Sequence, residues 1–513
     1  MRLGIDFGTT HTSVAAVDRG NYPIVSFQTP AGDVQEWYPS LIAFHGKQRL
    51  FGLEAAAQLN QPQWSFLRSF KRLLSTAAPE SALQIGDERV TLLEILTEFL
   101  CQLRRDLNAR SNLRVKSAGA PSAMIGVPAN ANSNQRFLTL EAFRRAGFDV
   151  LGMINEPSAA GIEYAFHYRK SAVPRKEYMA VYDLGGGTFD ASVIRMTDRY
   201  HEVMTSSGLS QLGGDDFDQI LADMVERRLG KETPIDGVDR CHLLDECREK
   251  KESLHPNTRK LVIDLGCIGD MAGEVVLSTS DFYEGCRPLI KQTMDALATA
   301  MVRAMDDAAG GRALSTIYLV GGSSDFPIVA RTLREHYGSR VHKSPYPHAA
   351  AAIGLAIAAD TEAGYVLKER FTRHFGVWRE TDGGKVIAFD PIFPKDTLLP
   401  AADDPSLMRT LRYQPAHNIG HFRYVECSEL KAESQPYGET MPWDEIFFPF
   451  DPALCHDARL ERIPVVRMPG VHDQIIEELY SCDAHGIIEV TIANRTAGYQ
   501  RSYRLRRTFQ REG

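Results

Sequence analysis

The chain has 513 residues, enough for several domains, with 43% hydrophobic and 24% charged side chains. A formal charge of −8 argues against a general nucleic-acid binder, and no apolar run is long enough to cross a membrane. Asp6 interrupts the N-terminus too early for a signal peptide, and the 8 cysteines are scattered without a Cys-x-x-Cys pair, so the expected setting is cytoplasmic, with reduced core thiols rather than zinc ligands or a disulfide frame.

The first element, Leu3 to Val14, reads as strand, Asp6, Gly8, the hydroxylated pair Thr9 and Thr10, then strand. Tyr22 to Phe51 reads as short strands broken by turn residues. In Trp64 to Leu74, Phe66, Leu67, Phe70, Leu73 and Leu74 fall at helical spacing, and Lys71 within it reads on spacing alone as a solvated helix lysine. Leu92, Leu93, Leu96, Phe99, Leu100, Leu103 and Leu107 mark an amphipathic helix. Met124 to Val127 is a short strand closed by Pro128, and Gln135 to Ala146 is helical. Glu156 precedes Pro157, which places it in an extended or turn conformation with Pro157 opening the next helix. A carboxylate there reads either as a water-orienting group or as a charge near a helix N-terminus.

The centre of the chain repeats the opening plan. A strand from Met179 ends at Asp183 and Leu184, Gly185, Gly186, Gly187 and Thr188 follow, and a second strand from Phe189 to Met196 carries Asp190. Glycines leave no Cβ in the way, so backbone N–H groups can close on an anion, while an aspartate at a strand end can hold a hydrated metal. Two such hairpins predict two similar lobes that share a phosphate cleft. No Gly-x-x-x-x-Gly-Lys-Ser/Thr stretch occurs, which excludes the P-loop solution.

Gly213, Gly214 and the acidic run Asp215, Asp216 and Asp218 turn the chain into a helix. Helical stretches around Asp245 to Leu254 and Phe282 to Ala309 surround a short β segment, Lys260 to Leu265 and Glu274 to Leu277. A buried strand from Ile317 ends in Gly321, Gly322 and Ser323, where a nucleoside can lie on backbone. Ala349 to Ala359 is a small-residue helix. The pattern then alternates, with a hairpin signal at Asp382-Gly383-Gly384 and a turn at Ser481 to Gly486 before a strand from Ile487 to Ile492. Arg501, Arg504, Arg506, Arg507 and Arg511 read as a solvated strand face and tail. The expected organisation is residues 1–362, a linker at 363–370, and a β-rich domain at 371–513.

In order and spacing these blocks resemble the seventy-kilodalton heat-shock chaperones, the DnaK family. The blocks are Ile5 to Thr10, Phe70 to Leu73, Val127 to Ala129, Ile154 to Pro157, Asp183 to Asp190, Gly213 to Asp218 and Val320 to Ser323. The resemblance implies an α/β fold: an actin-like, two-lobed ATPase of duplicated ribonuclease-H-like lobes, followed by a β-sandwich-like domain. It implies ATP or ADP bound with Mg2+, slow ATP hydrolysis, and polypeptide as the ligand of the β domain. By that resemblance Asp6 and Asp183 surround the magnesium, while Gly8, Thr9, Thr10, Gly185, Gly186, Gly187 and Thr188 hold phosphates. Lys71 is the catalytic lysine, and Glu156 and Asp190 lie near the attacking water. Gly214, Lys251, Gly321, Gly322, Ser323 and Asp325 complete the nucleotide site, and Pro128 and Arg136 match a proline switch with its arginine relay.

Departures qualify the match. The family's adenosine-binding helix carries Glu, Lys, Arg and Ser, where this chain has Arg248, Lys251, Glu252 and His255. Asp325 replaces an arginine and His348 an aspartate, which predicts an Asp325–His348 contact with the charges exchanged. Gly152 stands at the arginine used by J-domain co-chaperones, and Gly364-Tyr365-Val366-Leu367-Lys368 replaces the leucine-rich linker. Both argue against ordinary J-domain stimulation and for weak coupling, although a nucleotide-exchange factor remains implied. No residues follow the β domain to make a helical lid, so a lidless site with fast release is expected. A nucleotide-dependent scaffold or sensor with one dedicated protein partner is the alternative. A small-molecule kinase is disfavoured by Lys71 and the appended β domain.

Overall fold

The computed structural model describes residues 1–504 apart from 60, 62, 77–80, 86–87, 114–118, 169–176, 198, 231–234, 236, 269–272, 307–313, 382–385, 402 and 432–434. Two sheets dominate its first three-quarters and share a plan. In the first, the hairpin Arg2–Phe7 and His11–Ala16 is antiparallel, and Arg2–Phe7 continues in parallel to Ser122–Val127 and Asp149–Asn155. In the second, Glu177–Leu184 and Phe189–Thr197 form the hairpin, and Glu177–Leu184 continues in parallel to Thr316–Val320 and Val341–Lys343. Each hairpin therefore ends at the same edge of its sheet's parallel part, which is where glycine turns can face a ligand.

Two helices lie between these sheets, Glu156–Tyr168 and Ala350–Ala359. Ala352, Ala356 and Ile162 pack with Ala15 of the first sheet, while Ala350 and Ala160 pack with Met179 and Val181 of the second. The run of small residues is explained by contact distance: a Cβ on Gly354 would lie 1.8 Å from the carbonyl oxygen of Ala159. Such close approach fixes how the hairpins meet across the cleft.

The outer face of the first sheet is covered by Leu92–Ala109 and Ser133–Arg145. Thr91 and Glu94 close a capping box at the start of the former. The helix expected over Trp64 to Leu74 does not form. Ser65–Arg68 is a strand paired with Leu41–His45, Ser69 takes a left-handed φ of 52°, and Phe70–Ser75 is a 3-10 turn. A left-handed residue cannot continue a right-handed helix, and the apolar side chains divide between a strand face and a turn.

After His374 two four-stranded antiparallel sheets share one core. One runs Val386–Phe393, His374–Thr381, Ile419–Leu430, Pro436–Pro449, and the other Leu407–Tyr413, Ile476–Cys482, Ile488–Asn494, Tyr499–Arg504. The strands flanking Asp382-Gly383-Gly384 pair antiparallel, although the turn itself lies outside the described residues. Arg506, Arg507 and Arg511 also lie outside them. Val366–Lys368, inside the segment read as a linker, joins the second sheet as an outer strand beside Tyr200–Leu209.

Among the described residues no helix is long and apolar enough to cross a membrane. Cys247, Cys286, Cys427 and Cys482 are buried free thiols, but Cys241 is exposed, against the expectation of core cysteines.

Candidate functional site

The two hairpins meet at a cavity of about 270 Å³. Asp6, Gly8, Thr9, Thr10, Lys71 and Glu156 line it on one side. Asp183, Gly185, Gly186, Thr188, Gly214, Lys251, Gly321, Gly322, Ser323 and Asp325 line it on the other. Gly187 and Asp190 are not among the residues that line it. The loops interlock: a Cβ on Gly186 would lie 2.7 Å from Thr10 Oγ1, and one on Gly187 would lie 2.7 Å from Thr9 Cγ2. Gly321 has φ of 82°, and a Cβ there would press on Leu184 O at 2.4 Å, so both backbone conformation and space require glycine.

The glycine loop is braced from behind. Gly185 O accepts from Gly214 N–H at 2.9 Å, Gly186 O from Asp215 N–H at 2.8 Å, and Gly187 O from Arg72 Nε at 3.0 Å. A planar peptide points its N–H opposite to its C=O, so these bonds turn the N–H groups of Gly186, Gly187 and Thr188 to the other side of the loop. Arg72 also donates to Asp216 at 2.6 Å, and Asp216 accepts from Gly213 N–H at 2.7 Å. Ser69 Oγ donates to Asp215 at 2.5 Å. The sequence blocks contained Arg72, Asp215 and Asp216, but nothing in their spacing revealed this buttress.

Lys71 is buried, not solvated. Phe70 and Leu74 anchor its turn in the core, and Nζ donates to Glu156 Oε1 at 2.7 Å, 5.8 Å from the centre of the Phe7 ring. Glu156 is itself the first residue of its helix, directly after Asn155 ends its strand, whereas the sequence predicts Glu156 outside a helix that opens at Pro157. In hairpin register Asp183 faces Asp190, whereas Asp6 faces Ser13. Asp190 Oδ1 accepts from the Asn130 N–H at 2.9 Å.

Four carboxylates thus crowd around one ammonium. Burial, then the Glu156 charge, pushes Asp6 and Asp190 up to about 7 and Asp183 well above the ordinary range. Burial also works against the Lys71 ammonium, but Glu156 and Asp6 outweigh it and hold its pKa above the usual value. Hard oxygen donors short of positive charge suit a divalent cation such as magnesium. Among the described residues no three His, Cys, Asp or Glu side chains converge tightly enough to ligate an ion directly.

The nucleoside end departs from expectation. Asp325 does not meet His348: it pairs with Lys343, on the neighbouring strand. His348 sits on a loop whose carbonyl accepts from Ser13 Oγ at 2.7 Å, and its Nε2 lies 3.8 Å from Glu36. The two replaced positions belong to different elements that turn apart. Lys251 donates to Gly214 O at 2.8 Å and pairs with Asp218 at 2.6 Å, while Arg248 holds Asp215 at 3.0 Å and Asp218 at 3.2 Å. His255 lines an outer groove rather than the cavity.

The β sheets after His374 reach the cleft through side chains no motif revealed. Glu439 accepts from Asn130 Nδ2 at 3.2 Å, from Ser210 Oγ at 2.7 Å and from Arg373 at 3.0 Å. The same Asn130 donates its backbone N–H to Asp190. Arg136 donates to Asn155 Oδ1 at 2.5 Å, and Asn155 N–H donates to Glu369 at 2.8 Å, beside Glu156. Arg303 pairs with Glu429 at 2.5 Å and Arg370 with Glu202 at 2.7 Å. These contacts join residues 369–373 and the sheets after them to the rest of the chain.

A protein-family model described as Hsp70 protein matches residues 2–374, well over half of the chain.

Proposed function

The chain belongs to the Hsp70 family, and on that premise we propose that it is an ATP-dependent chaperone that binds ATP with magnesium in the cleft, hydrolyses it slowly, and binds polypeptide through the β sheets after residue 370. The observation that carries the reading is the buried Lys71–Glu156 pair among carboxylates, set between two interlocked glycine hairpins. Phosphoryl transfer asks mainly for positioning and electrostatic stabilisation, and this arrangement supplies both.

Bound magnesium would neutralise charge on the phosphates, with Asp6 and Asp183 holding its waters. The N–H groups of the two hairpins, with Thr9, Thr10 and Thr188, orient the phosphates. Lys71 faces the charge that develops on the transferred phosphoryl group, and Glu156 keeps its ammonium in place. Asp190, held by the Asn130 N–H and neighbouring Glu156 and Lys71, is the carboxylate that would take the proton of the attacking water. Its anchor, the Asn130 N–H, also sits on the route to Glu439, so a shift of the β sheets can move a catalytic carboxylate. Those sheets resemble a sandwich, whose edges and pockets can hold an extended apolar segment by main-chain bonds.

The test is magnesium-dependent ATP turnover by the full chain. Lys71→Ala removes a transition-state contact while leaving the hairpins, so turnover falls about 100-fold or more with ATP still bound. Wild-type protein that binds ATP but turns it over no faster than the variant contradicts catalysis.

A further inference from the structure

The cleft mouth carries an aromatic cluster that phosphate chemistry does not use. Strand Tyr38–Pro39 is stitched to the first hairpin: His11 pairs with Pro39 and Thr12 with Tyr38, Ser40 N–H donates to Thr10 O at 2.9 Å, and Ser40 Oγ donates to Gly8 O at 2.8 Å. Tyr38 is buried and donates to Asp106 at 2.7 Å. Alternation along a strand sends the preceding side chain the other way. Trp37 accordingly borders the cavity, with 37% of its surface still exposed.

Two imidazoles meet this indole edge-on, His11 with ring centres 5.4 Å apart and His348 at 6.2 Å, and both also line the cavity. The backbone carbonyl of His348 is held to the first sheet by Ser13, and Tyr38, next to Trp37, is anchored on Asp106. The three rings therefore stand together beside the loop of Gly8 to Thr10. A ligand whose phosphates rest on that loop has these rings within the same cavity for its next group. Arg248 lines the cavity as well, with its N–H groups held by Asp215 and Asp218.

Resting on the reading of the cleft as a nucleotide site, we propose that Trp37, with His11 and His348, forms an aromatic wall that packs against the nucleoside of the bound nucleotide, so that affinity depends on a ring in the ligand and not on phosphates alone. Ring stacking tolerates different bases but requires one, and a purine offers it the larger face.

Calorimetry on the full chain with magnesium tests this, using ATP and inorganic tripolyphosphate against wild type, Trp37→Ala and Trp37→Phe. Trp37→Ala weakens ATP about ten-fold or more and leaves tripolyphosphate within about two-fold of wild type, and Trp37→Phe recovers most of the ATP affinity. Unchanged ATP affinity in Trp37→Ala overturns the wall. Equal loss for ATP and tripolyphosphate also overturns it, because Trp37 would then only support the hairpin. Wild type that binds neither ligand sinks the nucleotide reading and the wall together, whereas ATP binding that ignores Trp37 sinks the wall alone.

Discussion

The cleft and the core of the C-terminal sheets both bury carboxylates, and they treat them in opposite ways. Glu478 is fully buried between the two C-terminal sheets. It accepts from both terminal nitrogens of Arg379 at 2.9 and 2.5 Å and from the hydroxyls of Tyr413 and Tyr480 at 2.5 Å each. Arg379 reaches onward to Asp390 at 2.8 Å. Burial alone would lower the guanidinium's pKa, but the bonds to Glu478 raise it, and burial with the Glu478 charge pushes the two tyrosines well up. In the cleft Asp6, Glu156, Asp183 and Asp190 have one neighbouring ammonium, Lys71. A carboxylate whose lone pairs and charge are satisfied inside the protein belongs to the scaffold. Carboxylates left short of positive charge lose stability and gain a use once a cation and phosphates arrive.

Deleting one charge in each region should therefore move stability in opposite directions. Glu478→Gln leaves Arg379 short of its bidentate partner and should lower unfolding stability by about 3 kcal/mol, read as a fall in denaturant midpoint. No loss of stability would remove the claim that this network holds the sheets together. Asp190→Asn should do the reverse in protein free of metal and nucleotide. Because its pKa is raised in the folded state, native Asp190 keeps a proton that the unfolded chain has shed, so wild-type stability falls as pH rises from about 4 through about 7. The asparagine has no such penalty, so at pH 8 the variant is more stable by about 1–2 kcal/mol, with the gap closing toward pH 4. A thermal-melt series across that range would contradict the account if the gap were flat or of opposite sign.

The smallest expected effect lies where the two regions touch. Glu439 holds Asn130, whose N–H holds Asp190. Glu439→Ala should change basal ATP turnover by about two- to ten-fold. Turnover identical to wild type would mean that the sheets dock without biasing the carboxylate.

The hairpins were legible because each is contiguous: strand, aspartate, glycines and hydroxyls stand in one run, and the second copy confirms the first. The small-residue helix at Ala350–Ala359 was legible from composition alone. Lys71 was legible only through the family resemblance and not from its spacing, since its partner Glu156 is 85 residues away and its own neighbours carry helical spacing that Ser69 breaks with a left-handed backbone. The Asp325–His348 contact failed because two exchanged residue types say nothing about which way each loop turns, and Lys343 was the nearer partner. The bond between Asn130 and Glu439 spans 309 residues and leaves no local trace. The strand at Val366–Lys368 was hidden for a related reason: three residues carry too little pattern, and pairing with Tyr200–Leu209 decides their conformation.

The most direct test of the cleft as a cation-requiring nucleotide site is calorimetric titration of ATP at pH 8, with magnesium and with chelator. Four buried carboxylates repel a triphosphate unless an ion screens them, so magnesium should tighten ATP binding by at least about ten-fold. Equal affinity with and without the ion, or no ATP binding in either condition, would contradict the account.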